Sequence, residues 1–83
     1  MPSPAKLAAV KIDPQSSERP YQQVAAQMRA QTERGEITFQ LPSITDLIAM
    51  AGLAVGTVRR AIDILVKEGL VQTVPGRGTF VRR

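Results

Sequence analysis

The residues of this sequence with the clearest chemical potential are arginines near its C-terminal end. Arg59 and Arg60 are consecutive in a segment with helical periodicity. Arg77 stands between Gly76 and Gly78 in a short turn. A guanidinium group donates several hydrogen bonds in one plane, which suits the phosphates and guanine edges of a nucleic acid. A basic helix followed by a glycine-flanked arginine therefore indicates a surface for a grooved polyanion.

The net positive charge of the chain is concentrated in the same region. The 83 residues include 11 Lys and Arg against 7 Asp and Glu, a net charge of +4. Residues 1–58 hold five basic and five acidic residues, whereas residues 59–83 hold six basic and two acidic ones. This asymmetry favours a nucleic-acid partner, although a solvated basic face would give the same composition.

The composition argues against several other functions. The sequence has no Cys and no His, so disulfides, thiolate metal sites and the commonest general base are excluded. We find no acidic pair or phosphate-cradling loop, and we expect neither an enzyme nor a cofactor or metal. No apolar run approaches the roughly 20 residues of a membrane span, and no secretory signal is evident, so a cytoplasmic protein is expected.

Helical periodicity over residues 56–68 predicts the element that carries Arg59 and Arg60. Val58, Ala61, Ile62 and Leu65 have the spacing of one buried stripe, and Gly69 predicts the end of the helix. Thr57 and Arg59 lie on the two flanks of the stripe. The residues that point directly away from it are Gly56, Arg60, Asp63 and Lys67.

The segment after this helix predicts a β-hairpin. Residues 70–74 and 79–81 are rich in strand-forming residues, and residues 75–78, Pro-Gly-Arg-Gly, are a turn. We call the two strands and their turn the wing. Arg77 is the one cation of the turn.

Two further helices are predicted before residue 53. Residues 20–34 form the first, with Gln22 and Gln23 on the solvated face. The Tyr21 ring is expected to pack on the buried face, and the alternative is that its hydroxyl donates to a phosphate. Ser43 suits the N-cap of the second, and Gly52 ends it. The short spacing to the next helix is that of a helix-turn-helix.

The remaining segments connect these elements. Residues 1–9 are expected to be a mobile arm, and residues 10–13 alternate like a short edge strand. In the connection over residues 35–41, Ile37 and Phe39 are expected to pack under the core. The predicted fold is mainly α with a small antiparallel sheet. It is a winged helix-turn-helix with three helices and a C-terminal β-hairpin wing, and its domain covers residues 10–83.

The chain resembles the DNA-binding domain of GntR (gluconate-repressor-like) transcription factors, most closely the HutC-like branch. Five short segments, spread in family order over residues 10–82, carry the resemblance. They are residues 20–24 (Pro-Tyr-Gln-Gln-Val), 41–43 (Leu-Pro-Ser), 57–62 (Thr-Val-Arg-Arg-Ala-Ile), 68–71 (Glu-Gly-Leu-Val) and 75–81 (Pro-Gly-Arg-Gly-Thr-Phe-Val).

The resemblance implies a mode of DNA binding. The third helix would enter the major groove, where Arg59 matches an arginine that can bond guanine O6 and N7. The wing tip, with Arg77 between its two glycines, would reach the narrow minor groove. The expected DNA-binding residues are Arg59, Arg60, Thr57, Gly56, Ser43, Thr45, Lys67, Gly76, Arg77 and Gly78. Among these, Arg60, Thr57, Ser43 and Lys67 are assigned mainly to phosphates.

Several positions depart from the family pattern. The family opens its third helix with Ser-Arg-Thr-Thr, whereas this chain has Ala-Val-Gly-Thr at residues 54–57, so a serine N-cap and an arginine are replaced. A second family arginine, after Leu-Pro-Ser, is replaced in residues 44–46. Val55 could contact a thymine methyl, but packing into the core is favoured. Family members also continue beyond the wing into an effector-binding and dimerising domain, so this chain has no evident effector site and is either free-standing or a fragment.

The function expected is sequence-specific binding of double-stranded DNA as a transcriptional regulator, a repressor above all. A palindromic operator would bring a second copy onto the DNA. The alternative is a winged-helix module that binds proteins. RNA binding is less favoured because aromatic residues, which would stack on bases, make up only 4% of the chain.

Overall fold

Residues 10–82 are described by a computed structural model of the chain. They form helices α1 (Pro20–Glu33), α2 (Ile44–Ala51) and α3 (Val55–Lys67), followed by strands β1 (Val71–Val74) and β2 (Gly78–Val81). The predicted order of three helices and a hairpin is confirmed, with element ends shifted by at most about one residue. The arm expected over residues 1–9 lies outside the described residues.

The core lies between α3 and the other two helices. α3 packs against α1 and α2, and the predicted stripe of α3 is buried at every position, with Ile62 the most exposed at 5%. Met28 of α1 and Leu47 of α2 are fully buried opposite it. Aliphatic burial of this kind fixes which face of α3 remains for solvent.

The hairpin is extended by a third segment. β1 and β2 pair antiparallel, with Val71 opposite Val81 and Val74 opposite Gly78. The backbone N–H of Val81 donates to the carbonyl of Phe39 at 2.7 Å, and Leu41 N–H donates to the carbonyl of Thr79 at 2.9 Å. The connection before α2 therefore attaches the wing to the helical core.

The placement of Phe39 under the core was wrong. Ile37 is buried as expected, but Phe39 is 69% exposed. Its backbone carbonyl accepts the hydrogen bond from Val81 of β2. Its ring lies edge-on to the ring of Phe80, with 5.3 Å between the ring centroids. The two residues thus form an aromatic pair on the outside of the wing.

No strand forms over residues 10–13, so that prediction was also wrong. The carboxamide of Gln27 accepts from Lys11 N–H at 3.0 Å and donates to the Lys11 carbonyl at 2.6 Å. The carboxamide of Gln23 likewise accepts from Asp13 N–H at 2.7 Å and donates to the Asp13 carbonyl at 3.0 Å. Because two glutamines of α1 supply the bonds that a neighbouring strand would supply, the segment needs no strand partner. Gln23, expected on the solvated face, is only 7% exposed.

Candidate nucleic-acid interface

The face of α3 opposite the core is polar and accessible. Gly56, Arg59, Arg60, Asp63 and Lys67 are all exposed, whereas Thr57 is half-buried. This agrees with the predicted orientation of the helix. Apart from Asp63, the charged groups on this face are cations.

A groove separates this face from the wing. Its lining includes Arg59 and Asp63 of α3 and, from the opposite side, Thr73 of β1 and Thr79 of β2. Ile44, at the start of α2, lies at the groove as well. Arg59 therefore faces the wing strands, whose connecting turn carries Arg77.

Arg60 is held by an aromatic ring of another helix. Its guanidinium carbon lies 4.4 Å from the centroid of the Tyr21 ring of α1. A cation over an aromatic face is attracted by the negative charge density of that face. Sequence reasoning assigned Tyr21 to packing and did not find this contact, because no local spacing connects the two residues.

The turn of the wing depends on glycine at two positions. Gly76 and Gly78 have φ angles of +74° and +127°, which L-residues with side chains rarely adopt. A Cβ on Gly78 would also lie 2.8 Å from Nε2 of Gln40, which donates to the Arg77 carbonyl at 3.3 Å. Gln40 thus braces the turn, and it is a residue that sequence reasoning missed.

The start of α2 presents two exposed hydroxyl residues. Ser43 Oγ accepts a hydrogen bond from Asp46 N–H at 3.0 Å, so its predicted role as N-cap is confirmed. The hydroxyl hydrogen of Ser43 is still available to donate. Thr45, one residue into the helix, is exposed.

The start of α3 differs from the expectation in one respect. Ala54, the N-cap residue, makes no side-chain bond to the helix, as its side chain predicts. Val55 does not pack into the core, because 46% of it is exposed. The preference for a core position at Val55 was therefore wrong.

The ion pairs of residues 10–82 do not involve Arg59, Arg60 or Lys67 of α3. Arg29 and Glu68 form a bidentate pair at 2.9 and 2.6 Å, and Arg34 pairs with Glu36. Hydrogen bonding to these arginines lowers the pKa of both glutamates. Within the described part of the chain, Arg59, by contrast, makes no ion pair, including the pairing with Asp63 that its spacing permits.

Neither a metal-binding cluster nor a membrane-spanning helix occurs among residues 10–82. No group of three or more carboxylate, His or Cys side chains there could hold a metal ion. None of the helices within residues 10–82 has the length and hydropathy needed to cross a bilayer.

Three helices, a tight turn between the second and third, and a hairpin beside the third define a winged helix-turn-helix domain. The chain belongs to the GntR family, because the profile described as "Bacterial regulatory proteins, gntR family" matches residues 20–81. The family predicted from the short motifs is confirmed, and its members are regulators of transcription. The HutC-like branch stays a prediction.

Two curated relatives come from Bacillus subtilis strain 168. The HTH-type transcriptional repressor NagR is 38% identical over 74 residues, which are 87% of this chain and 30% of NagR. The HTH-type transcriptional repressor YtrA is 34% identical over 74 residues, which are 87% of this chain and 57% of YtrA. The chain thus spans less than two thirds of the length of either relative.

Solved structures share the fold. YtrA from Sulfolobus acidocaldarius, a GntR-family transcription factor, superposes with a TM-score of 0.82 at 35% identity. This match covers 90% of the present chain and 81% of the YtrA chain. The DNA-binding domain of AraR in complex with operator ORE1 gives a TM-score of 0.76 at 30% identity. This match covers 84% of the present chain and 88% of the AraR chain. The predicted winged-helix fold is confirmed by these similarities.

Proposed function

We propose that this chain binds double-stranded DNA sequence-specifically and regulates transcription as a repressor. The observation that carries the proposal is the groove in which Arg59 of α3 faces Thr73 and Thr79 of the wing. Because helix and wing flank one groove, a single duplex can meet both. The similarity to a domain solved on operator DNA supports the same role.

In this proposal α3 enters the major groove. Arg59 forms two hydrogen bonds to O6 and N7 of a guanine, since it is exposed and has no carboxylate partner within residues 10–82. Arg60 and Lys67 contact phosphates, and Thr57 joins them from the flank of the helix. Gly56 lets the helix approach closely because no side chain projects there.

The other contacts come from the start of α2 and from the wing. Ser43 and Thr45 donate their hydroxyls to phosphates of one strand. Arg77 enters the minor groove, whose negative potential is strongest where it is narrow. Gly76 and Gly78 hold the turn and allow its backbone near the sugar-phosphate chain.

The remaining parts of the proposal follow from this role. The chain acts by binding and not by catalysis, and it acts in the cytoplasm, where chromosomal DNA is accessible. On a palindromic operator, two copies bind adjacent half-sites.

The experiment is selection of bound duplexes from a random pool, followed by titration of the selected site and of random duplex. We expect enrichment of one sequence and an affinity for random duplex that falls with salt, with a log–log slope of about −2 or steeper. The slope reflects at least Arg60 and Lys67 on phosphates. A palindromic product would support the second copy, whereas indifference to DNA would overturn the proposal in favour of a protein-binding module.

A further inference from the structure

Val55 is an exposed apolar residue at the edge of the proposed DNA surface. It is the first residue of α3, it is 46% exposed, and Ala54 and Gly56 on either side are exposed as well. We infer that Val55 is a specificity-determining residue that contacts the 5-methyl group of a thymine in the major groove. The inference rests on the proposed function and names part of its sequence preference.

The position of Val55 on the helix suits this role. Residues at the start of a recognition helix are those that reach base edges in helix-turn-helix proteins. Val55 and Arg59 are four residues apart, so they lie one above the other on the same face of α3. Arg59 lines the groove beside the wing, and Val55 therefore extends that face toward the start of the helix.

The surroundings of Val55 permit close approach. A Cβ placed on Gly56 would meet no atom within 4 Å, so the helix surface beside Val55 is open. Ala54 offers only a methyl group and no capping bond. Neither Ala54 nor Gly56 has a long side chain that would keep Val55 away from the base edges of the DNA major groove.

The chemistry selects one base. In the major groove the thymine methyl is the apolar group, whereas the other base edges present donors and acceptors. Valine can make no hydrogen bond through its side chain, so contact with those edges would leave polar groups unpaired. Contact with a methyl instead removes apolar surface of both partners from water.

The helix geometry also gives the expected spacing. Four residues at a rise of about 1.5 Å separate Val55 from Arg59 by about 6 Å along the helix. Base pairs are stacked about 3.4 Å apart, so this distance corresponds to roughly two steps. The thymine should therefore lie about one to three base pairs from the guanine that Arg59 is proposed to contact.

The test uses the duplex selected from the random pool. Each thymine is replaced singly by deoxyuridine, which removes only the methyl group, and binding is measured for the wild-type chain, Val55→Ala and Val66→Ala. Val66 is the matched control, because it is a valine on α3 that is 38% exposed in the last turn. Since Val55 is exposed, Val55→Ala should retain the fold.

We expect one thymine per bound copy whose replacement weakens wild-type binding about fourfold, which corresponds to about 0.8 kcal/mol for one buried methyl. Val55→Ala should lose this sensitivity, and Val66→Ala should keep it. Selection of a site with no sensitive thymine, or equal sensitivity in Val55→Ala, would overturn the inference and leave the proposed function standing. A chain that selects no duplex would overturn both.

Discussion

The guanidinium carbon of Arg60 lies 4.4 Å from the centroid of the Tyr21 ring. The two residues belong to different helices, so the contact joins α1 to the outer face of α3. The ring limits the directions in which the Arg60 guanidinium can point, but Arg60 remains exposed to solvent. Tyr21 is thus a positioning residue for a cation that we assign to phosphate.

Replacing the ring should weaken DNA binding through Arg60. An exposed cation–π contact is worth about 0.5–1 kcal/mol. Because it acts on binding by keeping Arg60 oriented toward the DNA, Tyr21→Leu should reduce affinity for random duplex by at most about two- to fivefold. Tyr21→Phe keeps the aromatic face and should bind nearly as wild type. The measurement is the dissociation constant at fixed salt. If Tyr21→Leu has the same effect in an Arg60→Ala background, Tyr21 does not act through Arg60.

Arg59 and Arg60 should respond differently to removal. Arg59→Ala should relax specificity at one base pair, by about 1–3 kcal/mol, because a bidentate contact to guanine is lost. Arg60→Ala should weaken all duplexes alike and make the salt slope shallower by about one unit, because one phosphate contact is lost. Titrations of the selected site, its single-base variants and random duplex distinguish the two. Equal losses on selected and random duplex for Arg59→Ala would refute its assigned role.

The helices could be predicted because local signals agree with the tertiary structure. The apolar stripe of α3 has helical periodicity and is the face that the core buries. Ser43 and Gly52 mark the ends of α2 through a side-chain cap and a left-handed residue with φ +66°. Such signals depend on residues within about one helical turn, so a sequence displays them directly.

The errors concern residues whose surroundings come from distant parts of the chain. The carboxamides of Gln23 and Gln27 hold residues 10–13, which removed the need for a strand there. The Phe39 backbone pairs with β2, and this pairing turns its ring outward. Gln40 reaches the wing turn across 37 positions. No periodicity or local motif encodes contacts of that range.

The two helix starts in the helix-turn-helix offer complementary tests of stability. Ser43→Ala removes the bond to Asp46 N–H and should lower the free energy of unfolding by about 1 kcal/mol. Ala54→Ser supplies a hydroxyl where α3 has no side-chain cap and should raise it by about 0.5–1 kcal/mol. Urea unfolding measures both. An unchanged urea midpoint for Ala54→Ser would mean that the start of α3 does not adopt a capped geometry in solution.

The wing turn should tolerate a side chain at Gly76 better than at Gly78. Both residues have positive φ, but +74° at Gly76 lies in the left-handed region that some L-residues adopt, whereas +127° at Gly78 is almost restricted to glycine. A Cβ on Gly78 would also lie 2.8 Å from Gln40 Nε2, the end of a side chain that can shift. Gly76→Ala should cost about 1–2 kcal/mol of stability, and Gly78→Ala up to about 3 kcal/mol. Urea unfolding of each variant, with and without Gln40→Ala, separates the two contributions. Because the end of the Gln40 side chain can shift, Gln40→Ala should recover only part of the cost of Gly78→Ala, and the cost of Gly76→Ala should stay the same. Full recovery would show that the contact, and not the backbone conformation, sets the cost.

The ion pair between Arg29 and Glu68 should make stability fall in acid. It joins α1 to Glu68, the C-cap residue of α3, across 39 positions, and the hydrogen bond from Arg29 lowers the pKa of Glu68. A lowered pKa in the folded state means that the contribution is complete above the ordinary pKa of Glu68. It is then lost as pH falls from that value through the lowered one. Since the side chains of Arg29 and Glu68 are 34% and 40% exposed, solvent screens the pair. We therefore expect it to contribute about 0.5 kcal/mol to the free energy of unfolding.

Glu36 provides the matched control for this pH dependence. Its pKa is also lowered, by Arg34, but the partners are two residues apart and can meet in the unfolded chain. Glu68→Gln should therefore flatten the acid side of the stability profile more than Glu36→Gln, in urea unfolding followed from neutral pH into acid. Equal flattening by the two variants would show that the pair between the helices adds nothing to stability beyond a local contact.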